Sequence, residues 1–163
     1  MGSVYSLSEL VQQRQVWKDQ KQTVVFTNGV FDILHRGHAE YLAASKTLGE
    51  ILIVGVNSDA SVKRLKGPAR PVVPEEDRAF LVSQLACVDA VSLFDQDTPF
   101  DIISAVVPDV LVKGADWAVN DVVGKNIVEA AGGKVLTIPL IPNRSTTNII
   151  ERILKGISGG HVS

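Results

Sequence analysis

The chain has 163 residues, 45% of them hydrophobic and only 6% aromatic, with a net charge of -2. That length makes one domain with a mainly aliphatic core, and the near-neutral balance offers no field for a nucleic-acid partner. A single cysteine, Cys87, argues against a disulfide framework and a cysteine-rich zinc site, and no apolar run reaches the roughly 18 residues of a membrane span. The expectation is a soluble cytoplasmic protein.

At the start of the chain, Ser6-Leu7-Ser8-Glu9 has the spacing of a capping box. Leu7, Leu10, Val11 and Val16 suit the core face of a helix over 6–20. Residues 23–26 read as a strand. Residues 38–48 read as a helix with Ala39, Leu42, Ala43 and Leu48 inward, closed by Gly49. Residues 51–56 are apolar throughout, as in a parallel strand covered on both faces. The basic, Gly- and Pro-bearing stretch 63–71 reads as irregular. A helix then starts near Pro74, with Glu75, Glu76 and Asp77 in its first turn, and runs to Leu85. Strands over 90–94, 110–112 and 135–138 alternate with helices over 100–107, 122–131 and 146–154. The expected organisation is a single domain over 1–163, with its core over 21–155 and a frayed tail over 156–163.

Strands alternating with helices imply a parallel sheet joined by right-handed crossovers. The expected fold is therefore a Rossmann-like, doubly wound α/β sheet of five strands. Ligands of such a sheet bind beyond the carboxyl ends of the strands, where the strand order reverses. Residues 28–38, 57–59, 113–117 and 143–148 all follow strands and should converge on that rim.

The run from Phe26 to His38 carries most of the chemistry. It joins a strand to a helix start through two glycines, Asp32, Arg36, His35 and His38. A helix start offers unpaired N–H groups and partial positive charge, and imidazoles placed there donate hydrogen bonds to phosphate oxygens. The loop matches neither the dinucleotide fingerprint nor the P-loop, so a nicotinamide enzyme and a P-loop kinase both lose weight. A zinc site is weak, because the only other histidine is His161 in the tail. At the last helix start, Ser145 taken alone is an N-cap, while Ser145, Thr146 and Thr147 together suit phosphate oxygens. A triphosphate also needs cations, for which Lys66 is the choice in the basic segment. Arg78 reads either as a nucleotide contact or as a surface salt bridge. Trp117 either stacks on a ring or caps the core.

The arrangement His35-Arg36-Gly37-His38, preceded by Asn28-Gly29-Val30-Phe31-Asp32, resembles the nucleotidyltransferase superfamily of small α/β enzymes with an H-x-G-H motif. The resemblance implies that His35 and His38 bind a nucleoside triphosphate and stabilise the transition state, and that Gly37 admits the nucleotide close to the helix. Residues 27–38, 70–78, 108–114 and 145–150 together resemble the heptose 1-phosphate adenylyltransferases of that superfamily. Their reaction joins ATP and D-glycero-β-D-manno-heptose 1-phosphate to give ADP-heptose and pyrophosphate, toward the lipopolysaccharide core. A kinase module of the kind often fused to this activity does not fit in 163 residues, so a stand-alone form is expected.

On this resemblance His35, His38 and Lys66 are catalytic. Asn28, Gly29, Val30, Phe31, Gly37, His38, Arg78, Gly114, Ser145, Thr146 and Thr147 bind nucleotide. Asn28, Asp32, Lys113, Asp116 and Trp117 bind the acceptor. Mg2+ enters with ATP, with few direct protein ligands, and a homo-oligomer is expected. The serine/threonine motif of the superfamily often ends in lysine. Asn148 stands there instead, so part of the phosphate charge must be met elsewhere, with Arg144 one source. A cytidylyltransferase acting on a small alcohol phosphate and a catalytically silent nucleotide binder are the alternatives, since the residues alone do not exclude CTP.

Overall fold

The computed structural model describes residues 2–115, 118–142 and 144–158. Among them are strands β1 (Ser3–Val4), β2 (Val24–Gly29), β3 (Ile51–Asn57), β4 (Ala90–Phe94), β5 (Val110–Gly114) and β6 (Lys134–Ile138). The helices are α1 (Leu7–Asp19), α2 (Arg36–Lys46), α3 (Asp59–Lys66), α4 (Glu75–Ser83), α5 (Phe100–Val106), α6 (Lys125–Ala130) and α7 (Thr146–Ser158). All strand pairs are parallel, in the order β1-β4-β3-β2-β5-β6. From β2 the chain steps outward through β3 to β4, then crosses back to lay β5 on the other flank of β2. The order reverses there, so the crevice lies beyond the carboxyl ends of β2 and β5.

The sheet has six strands rather than the expected five. The extra one, β1, pairs Ser3 and Val4 with Ala90 and Val91 at the sheet edge. Two residues carry no readable alternation. The pairing rests on backbone bonds such as Tyr5 N–H to Val91 O at 2.9 Å.

Alternate residues of the strands feed two cores. Val24, Phe26, Ile53 and Leu111 face Leu10 and Trp17 of α1, Ile102 and Ile103 of α5 and Val128 of α6. Val25, Leu52, Val54 and Val112 face Leu42 of α2 and Ala79 and Val82 of α4. Burial on both faces explains why β3 is apolar at nearly every position.

Three local expectations need correction. The capping box is present, with Ser6 N–H donating to Glu9 Oε2 at 2.8 Å, but α1 does not bury Leu7, Val11 and Val16. It buries Leu10, Arg14 and Trp17 instead, because Arg14 finds Asp109 and the carbonyls of Val106 and Val107 beneath the sheet. The stretch 63–71 is irregular only after Lys66. Ser58 caps α3 by accepting from Ser61 N–H at 3.0 Å, so Lys63, Arg64 and Lys66 form the last turn of a helix, where cations suit the dipole. Helix α7 continues to Ser158, beyond the expected end at 154.

Candidate active site

The β2–α2 loop is held in a strained shape from several sides. Phe31 and Ile33 have φ of 49° and 34°, in the left-handed region that disfavours a β-branched residue. Such residues cost of order 1–3 kcal/mol each and persist only where the surroundings fix them. Here the surroundings do. Arg78 Nη1 donates to Val30 O at 2.6 Å. The Asp32 carboxylate accepts from Arg70 Nε at 2.7 Å, from Val72 N–H at 3.0 Å and from Val73 N–H at 2.9 Å. Thr146 Oγ1, from the start of α7, donates to Asp32 O at 2.9 Å. Three distant segments therefore lock one loop.

That loop delivers the histidines to the start of α2. Their rings stack, with centroids 3.8 Å apart and planes 20° apart, and Phe31 meets His38 edge-on at 5.3 Å. Gly37 lies under the pair. A Cβ there would come within 3.0 Å of the His35 ring and 3.1 Å of Arg144 Cβ. The glycine thus makes room for the imidazole, a more immediate need than nucleotide approach. Burial, then the neighbouring His35, push His38 down to about 4 against a smaller upward pull from Asp32. Burial and Arg144 also lower His35. Stacking without mutual repulsion follows, because His38 is neutral at pH 7.

These rings line a cavity of about 390 Å³ over the β2–β5 crevice. Four buried side-chain polar atoms among the described residues lack a hydrogen-bond partner, and three of them belong to Asn28, His35 and His38 on its wall. Buried polar atoms are nearly always partnered in folded proteins, so three orphans around one cavity indicate a polar ligand. The opposite walls carry Lys66 from the end of α3, Lys113 and Gly114 from β5, and Arg144 to Thr147 at the start of α7.

Nearly all of the described residues expected at the site converge there: Asn28, Gly29, Val30, Phe31, Asp32, His35, Gly37, His38, Lys66, Lys113, Gly114, Ser145, Thr146 and Thr147. Asp116 and Trp117 lie outside the described residues. Two residues stand differently from expectation. Arg78 does not line the cavity. It is 1% exposed, pairs with Asp59 at 2.7 Å and bonds the carbonyls of Val30 and Val73, so it is a buried strut beneath the loop, neither nucleotide contact nor surface bridge. Asp32 lines the cavity, but its carboxylate oxygens are taken by Arg70 and two backbone N–H groups. Burial raises this carboxyl, and the Val73, Val72 and Arg70 bonds outweigh it and hold it below the usual range. Its charge fixes Arg70 and leaves no oxygen to orient an acceptor. Arg70 itself, with Tyr41, Leu140 and Ile141, joins the lining unforeseen. Its signals in the sequence are its place in the basic segment and at the head of the stretch 70–78.

The family model described as cytidylyltransferase-like matches residues 26–155, a span that holds every element of the cavity wall. The chain belongs to the cytidylyltransferase-like family. Among curated members it is 53% identical over 140 residues to "Bifunctional protein HldE" of Syntrophotalea carbinolica, covering 86% of this chain and 29% of that protein. It is 50% identical over 149 residues to the protein of the same name from Trichlorobacter lovleyi, covering 91% of this chain and 30% of that one. The chain thus spans about three-tenths of the length of the curated relatives it matches. The solved structure of a lipopolysaccharide core biosynthesis protein from Thermoplasma volcanium GSS1 matches with a TM-score of 0.60 and 32% identity, over 74% of this chain and 97% of that one. A protein of unknown function from Archaeoglobus fulgidus shares the fold, with a TM-score of 0.56 and 19% identity.

Within this cytidylyltransferase-like domain architecture the described cavity wall brings together orphaned imidazoles, a helix start and cations, and its one carboxylate among the described residues, Asp32, is already engaged. Such a set favours a polyanion and stabilises charge that grows on phosphate oxygens. Among the described residues no three His, Cys, Asp or Glu side chains group to hold a metal, and no helix is long and apolar enough to cross a membrane.

Proposed function

We propose that this chain is an adenylyltransferase that moves AMP from ATP to D-glycero-β-D-manno-heptose 1-phosphate, releasing ADP-heptose and pyrophosphate. The observation that carries the reading is the His35–His38 stack, with both Nδ1 atoms unpartnered, at the start of α2 in a chain so similar to the HldE proteins. The setting is cytoplasmic, where ATP and sugar phosphates meet, and the acting species is a homo-oligomer.

An oxygen of the sugar phosphate attacks the α-phosphorus of ATP. The new O–P bond forms as the bond to the β-phosphate oxygen breaks, and the electron pair leaves with pyrophosphate. The attacking phosphate is already ionised at neutral pH, so no strong base is required. The protein's work is alignment and charge stabilisation. His35 and His38 donate to oxygens of the transferring phosphate, together with the open N–H groups of α2. Asn28, with its orphaned Oδ1, reads a donor of the substrate. Lys66 and Arg70 face the acceptor phosphate, Arg70 with its Nε fixed by Asp32. Lys113 and Gly114, at the end of β5, border the acceptor pocket. Magnesium enters as part of the substrate MgATP.

A panel of four nucleoside triphosphates against sugar and alcohol phosphates, read by pyrophosphate release and product mass, tests the assignment. ATP with the heptose 1-phosphate should give ADP-heptose, the free sugar should give nothing, and CTP should be a poor donor. Efficient use of CTP with glycerol phosphate, with no reaction of ATP and the heptose phosphate, would replace the assignment by the cytidylyltransferase alternative.

A further inference from the structure

Arg78 is the largest fully buried side chain among the described residues, yet it carries a charge and does not line the cavity. Replacing a buried ion pair by apolar side chains of similar size is often neutral or stabilising, so stability is a weak reason to keep the pair. What a guanidinium adds is direction, because its N–H groups leave a rigid plane at fixed angles. Here they reach three separate stretches of chain. Nη1 donates to Val30 O at 2.6 Å, Nε to Val73 O at 2.9 Å and Nη2 to Asp59 Oδ1 at 2.7 Å.

Each of these stretches leads to the cavity wall. Val30 precedes Phe31 and Asp32 in the loop that delivers the histidines. Val73 gives its own N–H to the Asp32 carboxylate at 2.9 Å, so a single residue joins Arg78 through its carbonyl to Asp32 through its amide. Asp59 opens α3, and the last residue of α3 is Lys66 on the opposite wall. The start of α3 is tied to α4 a second time, since Asp59 N–H donates to Glu75 Oε2. The eight residues of α3 span about 10 Å between that double tie and Lys66. A helix is stiff over this length, so the tie at one end sets where the lysine stands at the other.

We propose, resting on the adenylyl-transfer reading for what the histidines and Lys66 hold, that Arg78 is a positioning residue for the transfer. It fixes the separation between the histidine-bearing loop and the lysine-bearing helix, and so keeps the phosphate under attack and the attacking phosphate in register. Its arms are separable. The arm to Asp59 governs Lys66 and hence the acceptor. The arm to Val30 governs the loop and hence the histidines. A side chain that only stabilised the fold would give no such division.

Initial rates of pyrophosphate release on the full chain, with ATP and heptose 1-phosphate each varied, are measured beside an NMR titration of the His38 ring. Asp59→Ala cuts only the arm to α3, at a side chain that is 31% exposed. It should raise KM for the sugar phosphate about fivefold, with kcat and the KM for ATP within twofold of the parent. Asp59→Asn keeps an oxygen for Nη2 and should return that KM most of the way. Arg78→Met/Asp59→Leu removes both arms and leaves apolar groups of similar volume. It should melt near the parent and lower kcat at least tenfold, as for reacting groups moved out of line. His38, pushed down to about 4 in the parent, should then titrate closer to an open imidazole near 6.5. Where that double variant does not fold, Arg78→Lys, which keeps the charge and loses the fork, carries the same expectation. A folded Arg78 variant with parent-like kcat, KM and His38 titration would overturn the proposal, as would a parent-like KM for the sugar phosphate in Asp59→Ala. A parent that releases no pyrophosphate would instead defeat the transfer reading, and the His38 titration would still decide whether Arg78 positions the histidines.

Discussion

The helices α2 and α7 both begin at the rim of the β2–β5 crevice, yet their first turns are used in opposite ways. At α2 the N-cap residue is His35, which makes no side-chain cap, and its ring and that of His38 keep unpartnered nitrogens. At α7 the hydroxyls are engaged within the protein. Ser145 Oγ accepts from Asn148 N–H at 3.2 Å, and Thr146 Oγ1 donates to Asp32 O. The α2 start keeps its ring nitrogens without protein partners, and the loop that leads into it holds Phe31 and Ile33 at positive φ. The α7 start closes on itself and on the loop that carries the strain. The serine/threonine-rich start of α7 is thus a latch on the β2–α2 loop.

Substitutions at the two starts should separate these jobs. The largest effect belongs to the histidines. His35→Ala and His38→Ala should each lower turnover on the order of 100-fold or more with an intact fold, since each removes a donor to growing charge. Parent-like rates in folded variants would take them out of the mechanism. Next is Gly37→Ala. A Cβ 3.0 Å from the His35 ring must push the stack aside, and misplacing a reacting contact by a fraction of an ångström should cost roughly tenfold or more in kcat. An unchanged kcat would mean that the ring position does not matter.

The α7 start should respond more gently and in a different currency. Ser145→Ala removes a cap, about 1 kcal/mol of stability, which lowers Tm by a few degrees while the ATP constant stays within about twofold. Thr146→Val removes the latch to Asp32 O and should lower kcat about fivefold through the loop, as expected for one lost hydrogen bond. A large loss of ATP affinity in Ser145→Ala would show instead that this hydroxyl meets phosphate directly.

The smallest effect is in pH dependence. In the folded chain burial and the neighbouring His35 push His38 down to about 4, below an unfolded imidazole near 6.5. Between those values the unfolded chain binds more protons, so stability is full above pH 6.5 and is lost as pH falls toward 4. Thermal melts across that range should therefore slope downward with acid. His38→Gln should flatten the slope. Equal slopes would mean that burial of this ring is not what lowers its proton affinity.

Much of this arrangement is legible in the sequence, and what is not has a common cause. The strands β2 to β6 announce themselves by apolar runs of the right length, and the polar residues after them mark the rim. His35 and His38 are readable because strand, loop and helix start are contiguous in sequence. The roles of Asp32 and Arg78 are not. Asp32 is filled by residues 70, 72 and 73, and Arg78 reaches back to Val30, so both depend on partners roughly 40 or more positions away. The buried face of α1 is hidden from the sequence for the same reason, since Arg14 is inward only because Asp109 waits there. The edge strand β1 is too short for any pattern to reveal.

Adenylyl transfer requires that the α-phosphorus of ATP be attacked at the histidine-bearing start of α2. The most direct measurement uses ATP labelled in turn at its α- and γ-phosphates, with the heptose 1-phosphate as acceptor. The α label should pass to the sugar nucleotide, the γ label should leave as pyrophosphate, and both transfers should collapse together in His38→Ala. A γ label appearing on the sugar phosphate, or transfer that survives in the folded His38→Ala protein, would contradict it.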